Sequence, residues 1–415
     1  MKVKLNISDK TLINVMIIIF FVMMIYLMLY NNESRNMLLN SFETFTNQVN
    51  YKPNVLRETQ KEVIDMSYAI EGFENPTDKD NKDNKDNKDN KEERDENNIP
   101  TVKFPFKNVF DQNGKKLNII LLSAPFRGPD HDKLYQEYKS QTPKLHFMGI
   151  SSYSEFPGKL SNPYESRYHE DKKHNYHTMA TTWLNCFRDS TKYINPSYNL
   201  PMLDLSESDF KDFNTHKPDP NIKKEYDFIY ICLKDNDKCT PGWQSYNRNW
   251  DLAKKCLITM CRRFKLKGAI IGRENCKFTD LCSGIVKILP FLKYHEFQKE
   301  LQKARFLFVP NIADASPRVI AEALCYDLRL LVNYNLLGGW KYVTPQTGEF
   351  FTDEFDVETA LEKLTTNMDN YKPREFFIEN YGKERSGRKL AEFIKTNYTN
   401  VIPEPNKIEY TTITI

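Results

Sequence analysis

The stretch Asp314-Ala-Ser-Pro-Arg-Val-Ile-Ala-Glu322-Ala-Leu-Cys-Tyr326 follows closely on an apolar run, Phe306-Leu-Phe-Val-Pro310, and it decides the fold of the chain. The apolar run predicts a buried strand, and the residues after it predict a loop that leads into a helix. Pro317 suits the first turn of that helix, where its missing N–H costs nothing, and Asp314 or Ser316 is placed to cap it. Four residues at helical spacing form its apolar face: Val319, Ile320, Ala323 and Leu324.

The start of this predicted helix is suited to binding an anion. Free backbone N–H groups and the helix dipole both point at a ligand in that position. Arg318 adds a fixed positive charge that can form two hydrogen bonds with a phosphate, and Glu322, one turn deeper, is suited to accept hydrogen bonds from ligand hydroxyls. The apolar run Leu330–Asn333 predicts the next strand, and Gly338-Gly339 after it permits close approach of the backbone to a ligand.

This arrangement resembles the donor-sugar site of the GT-B glycosyltransferases of the "group 1" type. In that family a loop carries an acidic residue, seven further residues and then a Glu, followed by a buried strand and a Gly-Gly turn. Asp314 and Glu322 match the two acidic positions, although the family usually has Glu at the first. Asp327 stands where the family usually has Gly, and Arg329 and Leu330 stand where its next strand usually starts with Pro-Val. The resemblance covers roughly residues 226–360, and an ordinary βαβ packing unit is the alternative interpretation.

An uncharged apolar segment at residues 12–30 predicts a transmembrane helix. As a helix it spans about 28 Å, close to the thickness of the hydrocarbon core of a bilayer. No small-residue cleavage site follows, which favours an anchor over a cleavable signal peptide. Lys2, Lys4 and Lys10 precede the segment, so the positive-inside rule places the N-terminus in the cytosol. The sequence therefore predicts a single-pass type II anchor, residues 1–30, with the globular part in a lumen of the Golgi or endoplasmic-reticulum type.

Two segments separate this anchor from the globular part. Residues 31–75 predict a stem, in which Met37, Phe42 and Val49 indicate an amphipathic helix; a weakly ordered spacer is the alternative. Residues 76–100 form a low-complexity linker with four tandem Asp-Asn-Lys repeats that begin at Asp80. The linker has almost no apolar side chains and cannot offset the entropy of ordering, so we expect a disordered tether.

The first globular block, residues 101–220, begins as strand, loop, helix and strand. Leu117–Ser123 and Leu145–Ile150 predict the strands, and this alternation indicates a doubly wound sheet. The resemblance implies that Arg127 and Gly128, in the loop after the first strand, face the cleft between two domains. The Gly-rich fingerprint of a dinucleotide site is absent, which argues against an NAD enzyme. We interpret three neighbouring histidines as solvated loop residues rather than metal ligands: His169, His174 and His177.

The second globular block, residues 221–370, continues the βαβ alternation. The apolar runs predict strands at Tyr226–Leu233, Gly268–Gly272 and Val286–Leu289, and a helix at Trp250–Phe264. The resemblance implies that Lys234, near the end of the first strand, and Arg248, before the helix, hold the diphosphate of a donor. Residues 371–400 predict terminal helices, which in the family cross back to the first domain, and residues 401–415 form a tail.

Charge and cysteine content exclude some functions. The chain has 59 basic and 56 acidic residues in near balance, so nothing indicates a nucleic-acid partner. Its eight cysteines lie mostly in apolar runs, and we expect most of them to be buried small hydrophobic residues. In a lumenal domain one pair, such as Cys232–Cys239, would be oxidised.

These observations predict an α/β protein of GT-B-like fold, with two Rossmann-like doubly wound domains facing a cleft. The resemblance implies a glycosyltransferase that moves a sugar from a nucleotide-sugar donor to a glycan, lipid or protein acceptor, without a metal or other cofactor. The family mostly retains the anomeric configuration; inversion, with a His or Asp of the first block as general base, is the alternative. The expected catalytic residues are Arg248, Arg318 and Asp314. The expected donor-binding residues are Glu322, Ser316, Lys234, Gly338, Gly339, Arg127 and Gly128. The alternative is a catalytically inactive GT-B module that acts as a membrane-tethered scaffold for a glycan or a protein.

Deletion of residues 78–90 should leave the melting temperature of the globular part unchanged, because this segment can bury no apolar surface. Melting curves of the full-length and the shortened chain measure the effect. A loss of several degrees would show that the segment packs on the globular part.

Overall fold

The computed structural model describes residues 98–165, 173–276, 278–398 and 413–415, all of which belong to one unit of the chain. The predicted anchor, the stem, most of the linker and His169 lie outside the described residues. Within the part of the chain that the structure describes, no helix combines the length and the apolar character needed to cross a membrane.

The first domain is built on a sheet with the order β12-β1-β2-β3-β4-β5. Strands β2 to β5 are parallel to one another, and β1 runs antiparallel to both β2 and β12. The strands are β1 (Phe106–Asp111), β2 (Lys116–Leu122), β3 (His146–Ile150), β4 (Thr182–Asn185), β5 (Met202–Asp204) and β12 (Ile413–Thr414).

The prediction that this first domain is doubly wound is wrong. The tight turn at 112–115 joins β1 to β2 as an antiparallel hairpin, so β1 occupies the side of β2 to which a second set of crossovers would add strands. The parallel strands β3, β4 and β5 are therefore added in sequence on the other side only. The described strands form a sheet that is parallel in its main part and shows no reversal of strand order.

Among the described residues, two helices and four 3₁₀ turns accompany this sheet. Helix α1 (Pro129–Lys139) begins at a proline, and α2 (Tyr176–Met179) is a single turn. The 3₁₀ turns lie at Pro163–Glu165, Ser190–Lys192, Pro196–Tyr198 and Glu207–Phe210. Alternate side chains of β2 pack on opposite faces of the sheet: Ile119 and Leu121 on one, Ile120 and Leu122 on the other.

The second domain is doubly wound, as the sequence predicted. Its parallel sheet has the order β11-β10-β9-β6-β7-β8, so the chain starts in the middle, builds outward to β8 and returns to β9 beside β6. The strands are β6 (Tyr226–Ile231), β7 (Gly268–Ile271), β8 (Val286–Leu289), β9 (Ala304–Val309), β10 (Arg329–Asn333) and β11 (Gly348–Phe351). The reversal of strand order lies between β6 and β9.

Helices cover both faces of this second sheet, and the last one reaches the first domain. They are α3 (Trp243–Asn247), α4 (Trp250–Arg262), α5 (Tyr294–Gln302), α6 (Arg318–Cys325), α7 (Val357–Thr366), α8 (Pro373–Asn380) and α9 (Lys383–Asn397), with 3₁₀ turns at Asp280–Cys282, Trp340–Tyr342 and Met368–Asn370. Ile320, Ala323 and Leu324 of α6 are buried on the predicted apolar face. Leu390 and Ile394 of α9 are buried in the core of the first sheet.

The cysteines divide into two disulfides and four buried thiols. Cys239 pairs with Cys276 and Cys261 with Cys282, whereas Cys186, Cys232, Cys256 and Cys325 are reduced. The predicted Cys232–Cys239 pair is wrong, because the Cys232 thiol faces the buried Arg273 guanidinium and Cys276 takes its place beside Cys239. Burial raises the pKa of the Cys186, Cys256 and Cys325 thiols, which suits small, unreactive core residues.

The backbone of Gly338 and Gly339 packs closely against the loop before α6. A Cβ on Gly338 would lie 1.7 Å from the carbonyl oxygen of Ala315, and one on Gly339 would lie 2.6 Å from Cγ of Pro317. Gly339 also has a φ of 75°, which side chains disfavour. The Gly338 N–H donates to the carbonyl of Asp314 at 3.0 Å. The two glycines therefore hold the loop before α6 in place.

Gly338→Ala should lower the free energy of unfolding by at least about 1–3 kcal/mol, because backbone atoms cannot yield to the added methyl group. Gly128→Ala is the matched control: it has extended backbone angles and no atom within 4 Å of an added Cβ, so it should change stability by less than about 0.5 kcal/mol. Urea unfolding of both variants measures the difference. Equal stability of the two variants would contradict this packing.

Candidate functional site

The reversal of strand order in the second sheet creates a crevice at the carboxyl ends of β6 and β9. Ile312, in the loop after β9, donates its N–H to the carbonyl of Asn247 at the end of α3, 3.1 Å away. The next residue, Arg248, accepts a hydrogen bond on its carbonyl from the Tyr230 hydroxyl of β6 at 2.9 Å. The end of α3 is thereby fixed at the point where ligands bind in open parallel sheets.

Arg248 and Asp314, two of the predicted catalytic residues, form an ion pair at this crevice. Nη1 of Arg248 donates to Oδ2 of Asp314, and Nδ2 of Asn311 lies 3.5 Å from the same oxygen. The two charged side chains are 21% and 16% exposed, so solvent and a ligand can reach both. Because its carboxylate is engaged by Arg248, Asp314 does not cap α6, and the predicted cap is wrong: Pro317 is the N-cap residue.

Three other predicted site residues contact a short segment of the first domain, residues 207–211, which we call the 207–211 segment. Nη2 of Arg318 lies 3.1 Å from Oε2 of Glu207. The hydroxyl oxygens of Ser316 and Ser208 are 3.0 Å apart. Oε1 of Glu322 accepts from Nζ of Lys211 at 3.0 Å and from the hydroxyl of Tyr294 at 2.9 Å. Glu322 is only 6% exposed.

Glu207 is the centre of charge in this contact. Its carboxylate lies between the ammonium of Lys107 and the guanidinium of Arg318. Burial opposes ionisation of the carboxyl group, but the two neighbouring positive charges outweigh it and lower the pKa of Glu207 from 4.5 to about 2. The carboxylate is therefore ionised at neutral pH and links both domains.

Asp209 provides a second, deeper link that the sequence analysis missed. Its side chain is 1% exposed and accepts hydrogen bonds from Lys341 and from the Tyr342 hydroxyl. Its carbonyl accepts from the Gly382 N–H at 2.9 Å and from the Ser386 hydroxyl at 2.8 Å. A sequence signal was available, because Ser206 and Asp209 have the spacing of a capping box, which the structure forms.

The remaining predicted residues lie at the carboxyl ends of strands. Lys234, after β6, pairs with Asp237 at 3.0 Å and Glu274 at 3.1 Å. In the first domain, Gly128 precedes α1 and the Arg127 guanidinium lies 4.6 Å from the centre of the Phe104 ring. The Arg127 N–H donates to Nδ1 of His131 at 3.0 Å.

Two of the predicted loop histidines lie in the described part of the chain and have protein partners. Nε2 of His174 lies 2.5 Å from Oδ1 of Asp132, and the ring of His177 stacks on Tyr198 with centroids 5.0 Å apart. The structure groups no three possible metal ligands among the residues it describes.

A buried arginine beneath the crevice was also missed. Arg273, directly after β7, is 1% exposed and donates to the Ser245 hydroxyl at 2.7 Å and to the Cys232 sulfur at 3.1 Å. Its guanidinium carbon lies 4.7 Å from the centre of the Trp250 ring. The carboxylate of Asp235 accepts the Gln244 N–H at 2.6 Å and so holds the start of α3 in place. The sequence Gly272-Arg273 by itself contains no signal that the arginine is buried.

A pocket of about 180 Å³ lies between the two domains, beside the Arg248–Asp314 pair; we call it the interdomain pocket. Every residue that lines it follows the carboxyl end of a parallel strand, so the carboxyl edges of both sheets face this space. The lining residues are Ser154, Glu155, Ser161, Asn162, Tyr193, Tyr246, Ile312, Ala313, Asn335 and Leu337.

Solved transferase structures resemble this chain weakly. The pneumococcal O-GlcNAc transferase GtfA in complex with UDP and GlcNAc aligns at 9% identity over 66% of this chain and 55% of that chain, with a TM-score of 0.47. A glycosyltransferase from Rickettsia africae aligns at 11% identity over 68% and 77% of the two chains, with a TM-score of 0.47. A sucrose-phosphate synthase from Thermosynechococcus elongatus aligns at 9% identity over 65% and 71%, with a TM-score of 0.46.

These similarities do not establish a family. The chain spans about half of the length of GtfA, and all three scores lie below 0.5. No protein-family model matches the sequence, and no curated protein matches it significantly.

Glu207→Gln should destabilise the protein by about 1.5–3 kcal/mol at pH 7, because Lys107 and Arg318 lose their charged partner. The pKa of Glu207 is lowered on folding, so the stabilisation is fully present above pH 4.5 and is lost as the pH falls toward 2. Urea unfolding at pH 7 and pH 2.5 should show a difference between wild type and variant that shrinks at the lower pH.

Glu362→Gln is the control for this prediction, since Glu362 forms a solvent-exposed 3.8 Å contact with Arg263 and should contribute less than about 1 kcal/mol. A Glu207→Gln effect that is equally large at both pH values would contradict the assigned pKa.

Proposed function

We propose that this protein is a glycosyltransferase that takes its sugar from a nucleotide-sugar donor. The observation that carries the proposal is the Arg248–Asp314 pair at the reversal of strand order in the second sheet, directly beside the interdomain pocket. A doubly wound sheet binds nucleotides at that point. The opposed carboxyl edges of two α/β domains leave a second substrate room on the other side of the cleft.

Arg248 is the residue best placed to hold the diphosphate of the donor. A planar guanidinium with two parallel N–H groups matches a phosphate, and Asp314 orients it while the site is free. When the bond to the sugar breaks, negative charge grows on the leaving diphosphate, and a fixed positive charge stabilises that state most. In this scheme Arg248 supplies the charge that a metal ion supplies in other enzymes.

We propose roles for Arg318, Ser316 and Glu322 that differ from those the sequence predicted. All three contact the 207–211 segment, so we assign them to positioning the loop before α6 rather than to direct contact with the donor. Retention of anomeric configuration is proposed from the resemblance of the 314–322 stretch alone. The acceptor class named by that resemblance is a glycan, a lipid or a protein. Attachment to a membrane through residues 12–30, with a lumenal globular part, is likewise proposed from sequence.

A catalytically inactive scaffold is the second candidate. One observation favours it: the predicted anion site at the start of α6 is occupied by the carboxylate of Glu207 through Arg318. Such a protein would bind a glycan or a nucleotide sugar without turnover, and a direct assay separates the two candidates.

Arg248→Ala should weaken the binding of nucleoside diphosphates by about 1.5–3 kcal/mol, the range for a hydrogen bond to a charged group. It should lower turnover further, since the contact strengthens in the transition state. Calorimetric titration of the full-length protein with a panel of nucleoside diphosphates, and donor turnover with the matching nucleotide sugars, measure the two effects.

Arg263→Ala is the control variant, because Arg263 lies at the end of α4 with a 58% exposed side chain. It should bind and turn over donors like the parent. Binding without turnover in the parent would favour the scaffold. Absence of nucleotide binding in the parent, or unchanged binding by Arg248→Ala, would refute the donor site.

A further inference from the structure

The interdomain pocket is polar but carries no positive charge of its own. None of the described residues that line it is Lys or Arg, and its one ionisable acid is Glu155. The volume of about 180 Å³ is far above the roughly 10–15 Å³ that one water molecule needs. The pocket is thus built for a small ligand with polar groups, and its charge is unfavourable for an anion.

Two buried polar atoms in the pocket wall have no protein partner among the described residues: Oγ of Ser154 and Nδ2 of Asn162. Asn162 is 1% exposed, and its Oδ1 accepts the Tyr164 N–H at 2.9 Å, which fixes the amide so that Nδ2 is left to donate elsewhere. Ser154 has a φ of 44°, a conformation that costs free energy and is common at binding sites. Buried donors of this kind are normally satisfied, so a ligand acceptor is expected beside them.

We propose that the interdomain pocket binds one uncharged sugar ring and discriminates against acidic sugars. The inference rests on the proposed function, which it deepens by naming the class of sugar. Ser154, Asn162 and the Tyr246 hydroxyl hydrogen-bond to ring hydroxyls, and the Glu155 carboxylate accepts from two of them.

Each wall of the pocket suits a sugar ring. Tyr193 and Tyr246 supply aromatic surface, on which the apolar C–H face of a sugar packs. The hydroxyl of Ser161 donates to Oε1 of Glu155 at 2.7 Å, and the Ser161 N–H donates to Oε2. Each carboxylate oxygen can accept one further hydrogen bond, from a sugar hydroxyl. A lipid chain would leave these polar groups unpaired. A phosphate or a uronate would meet the Glu155 charge, and none of the described residues that line the pocket is a cation that could offset it.

The position of the pocket connects this sugar with the reaction. Tyr246 lies two residues before Arg248, and Ala313 is the neighbour of Asp314 in sequence. A sugar ring in the pocket therefore lies next to the groups assigned to the donor diphosphate. It is either the sugar to be transferred or the terminal sugar of the acceptor, and both sources share the same neutral, hydroxylated chemistry.

The first test uses Ser154→Ala and free sugars. Glucose, galactose and N-acetylglucosamine serve as neutral probes and glucuronate as the acidic probe, in saturation-transfer NMR on the full-length protein. The parent should bind at least one neutral probe and should bind glucuronate more weakly. Ser154→Ala should weaken neutral-sugar binding severalfold while its melting temperature stays the same or rises, because the variant removes a buried hydroxyl without a protein partner.

The second test changes the charge. Glu155→Gln should narrow the preference for neutral sugar over glucuronate by about fivefold, the factor that like charges about 4 Å apart give even in bulk water. Tyr246→Phe should weaken sugar binding, and Tyr198→Phe, a change of an exposed tyrosine outside the pocket, should not. Stronger binding of glucuronate than of every neutral probe by the parent, or neutral-sugar binding that none of the pocket variants alters, would overturn the proposal.

Comparing different ligands distinguishes a transferred sugar from an acceptor sugar in the pocket. If the pocket holds the transferred sugar, Tyr246→Phe weakens the binding of the nucleotide sugar but not of the nucleoside diphosphate. If it holds the acceptor, the same variant raises the KM for the acceptor only. Should the parent bind no nucleotide while neutral sugars still bind in the pocket, the proposed function fails and this inference stands.

Discussion

A carboxylate held between two cations of different domains is the interaction on which the arrangement of this protein depends. Glu207 contacts Lys107 of the first sheet and Arg318 of α6, and the polar residues that follow it in the 207–211 segment each contact another part of the second domain. Buried charges of this kind add little net stability, but each becomes costly when its partner is displaced. A sliding of one domain past the other would unpair several of them together, so the pairing selects one relative position.

That position determines which groups at the cleft remain available to a ligand. Arg318 and Glu322 form charged contacts with the 207–211 segment, whereas the side chains of Arg248 and Asp314 pair with each other across the crevice. The same helix start therefore has two roles: its buried side contacts the other domain, and the loop before it carries part of the proposed ligand site. The local sequence does not show which of these two parts has which role, since the start of α6 and the loop before it carry the same types of polar and charged residue.

Much of the second domain could be predicted because its signals are local. Apolar runs gave its strands β6, β7, β9 and β10, and the spacing of Ile320, Ala323 and Leu324 gave the buried face of α6. The first sheet was predicted less well, since β4 and β5 are short and the hairpin of β1 depends on a turn. The partners of Arg318 and Glu322 could not be predicted at all, because Glu207 and Lys211 lie more than a hundred residues earlier and charge pairing has no sequence period.

The loop at residues 311–317 shows how these contacts prepare a site in advance. Asn247 accepts the Ile312 N–H on one side, Gly338 donates to the Asp314 carbonyl on another, and Ser208 meets Ser316 on a third. Fixed from three directions, the loop does not need a ligand to place the Asp314 carboxylate or the Arg248 guanidinium that it orients. Charged groups fixed before binding lose little entropy when the ligand arrives and pay no reorganisation as charge develops on it. The proposed chemistry of the cleft therefore depends on the interdomain contact, because the rigidity that this contact supplies is what would let Arg248 act on a ligand without reorganisation.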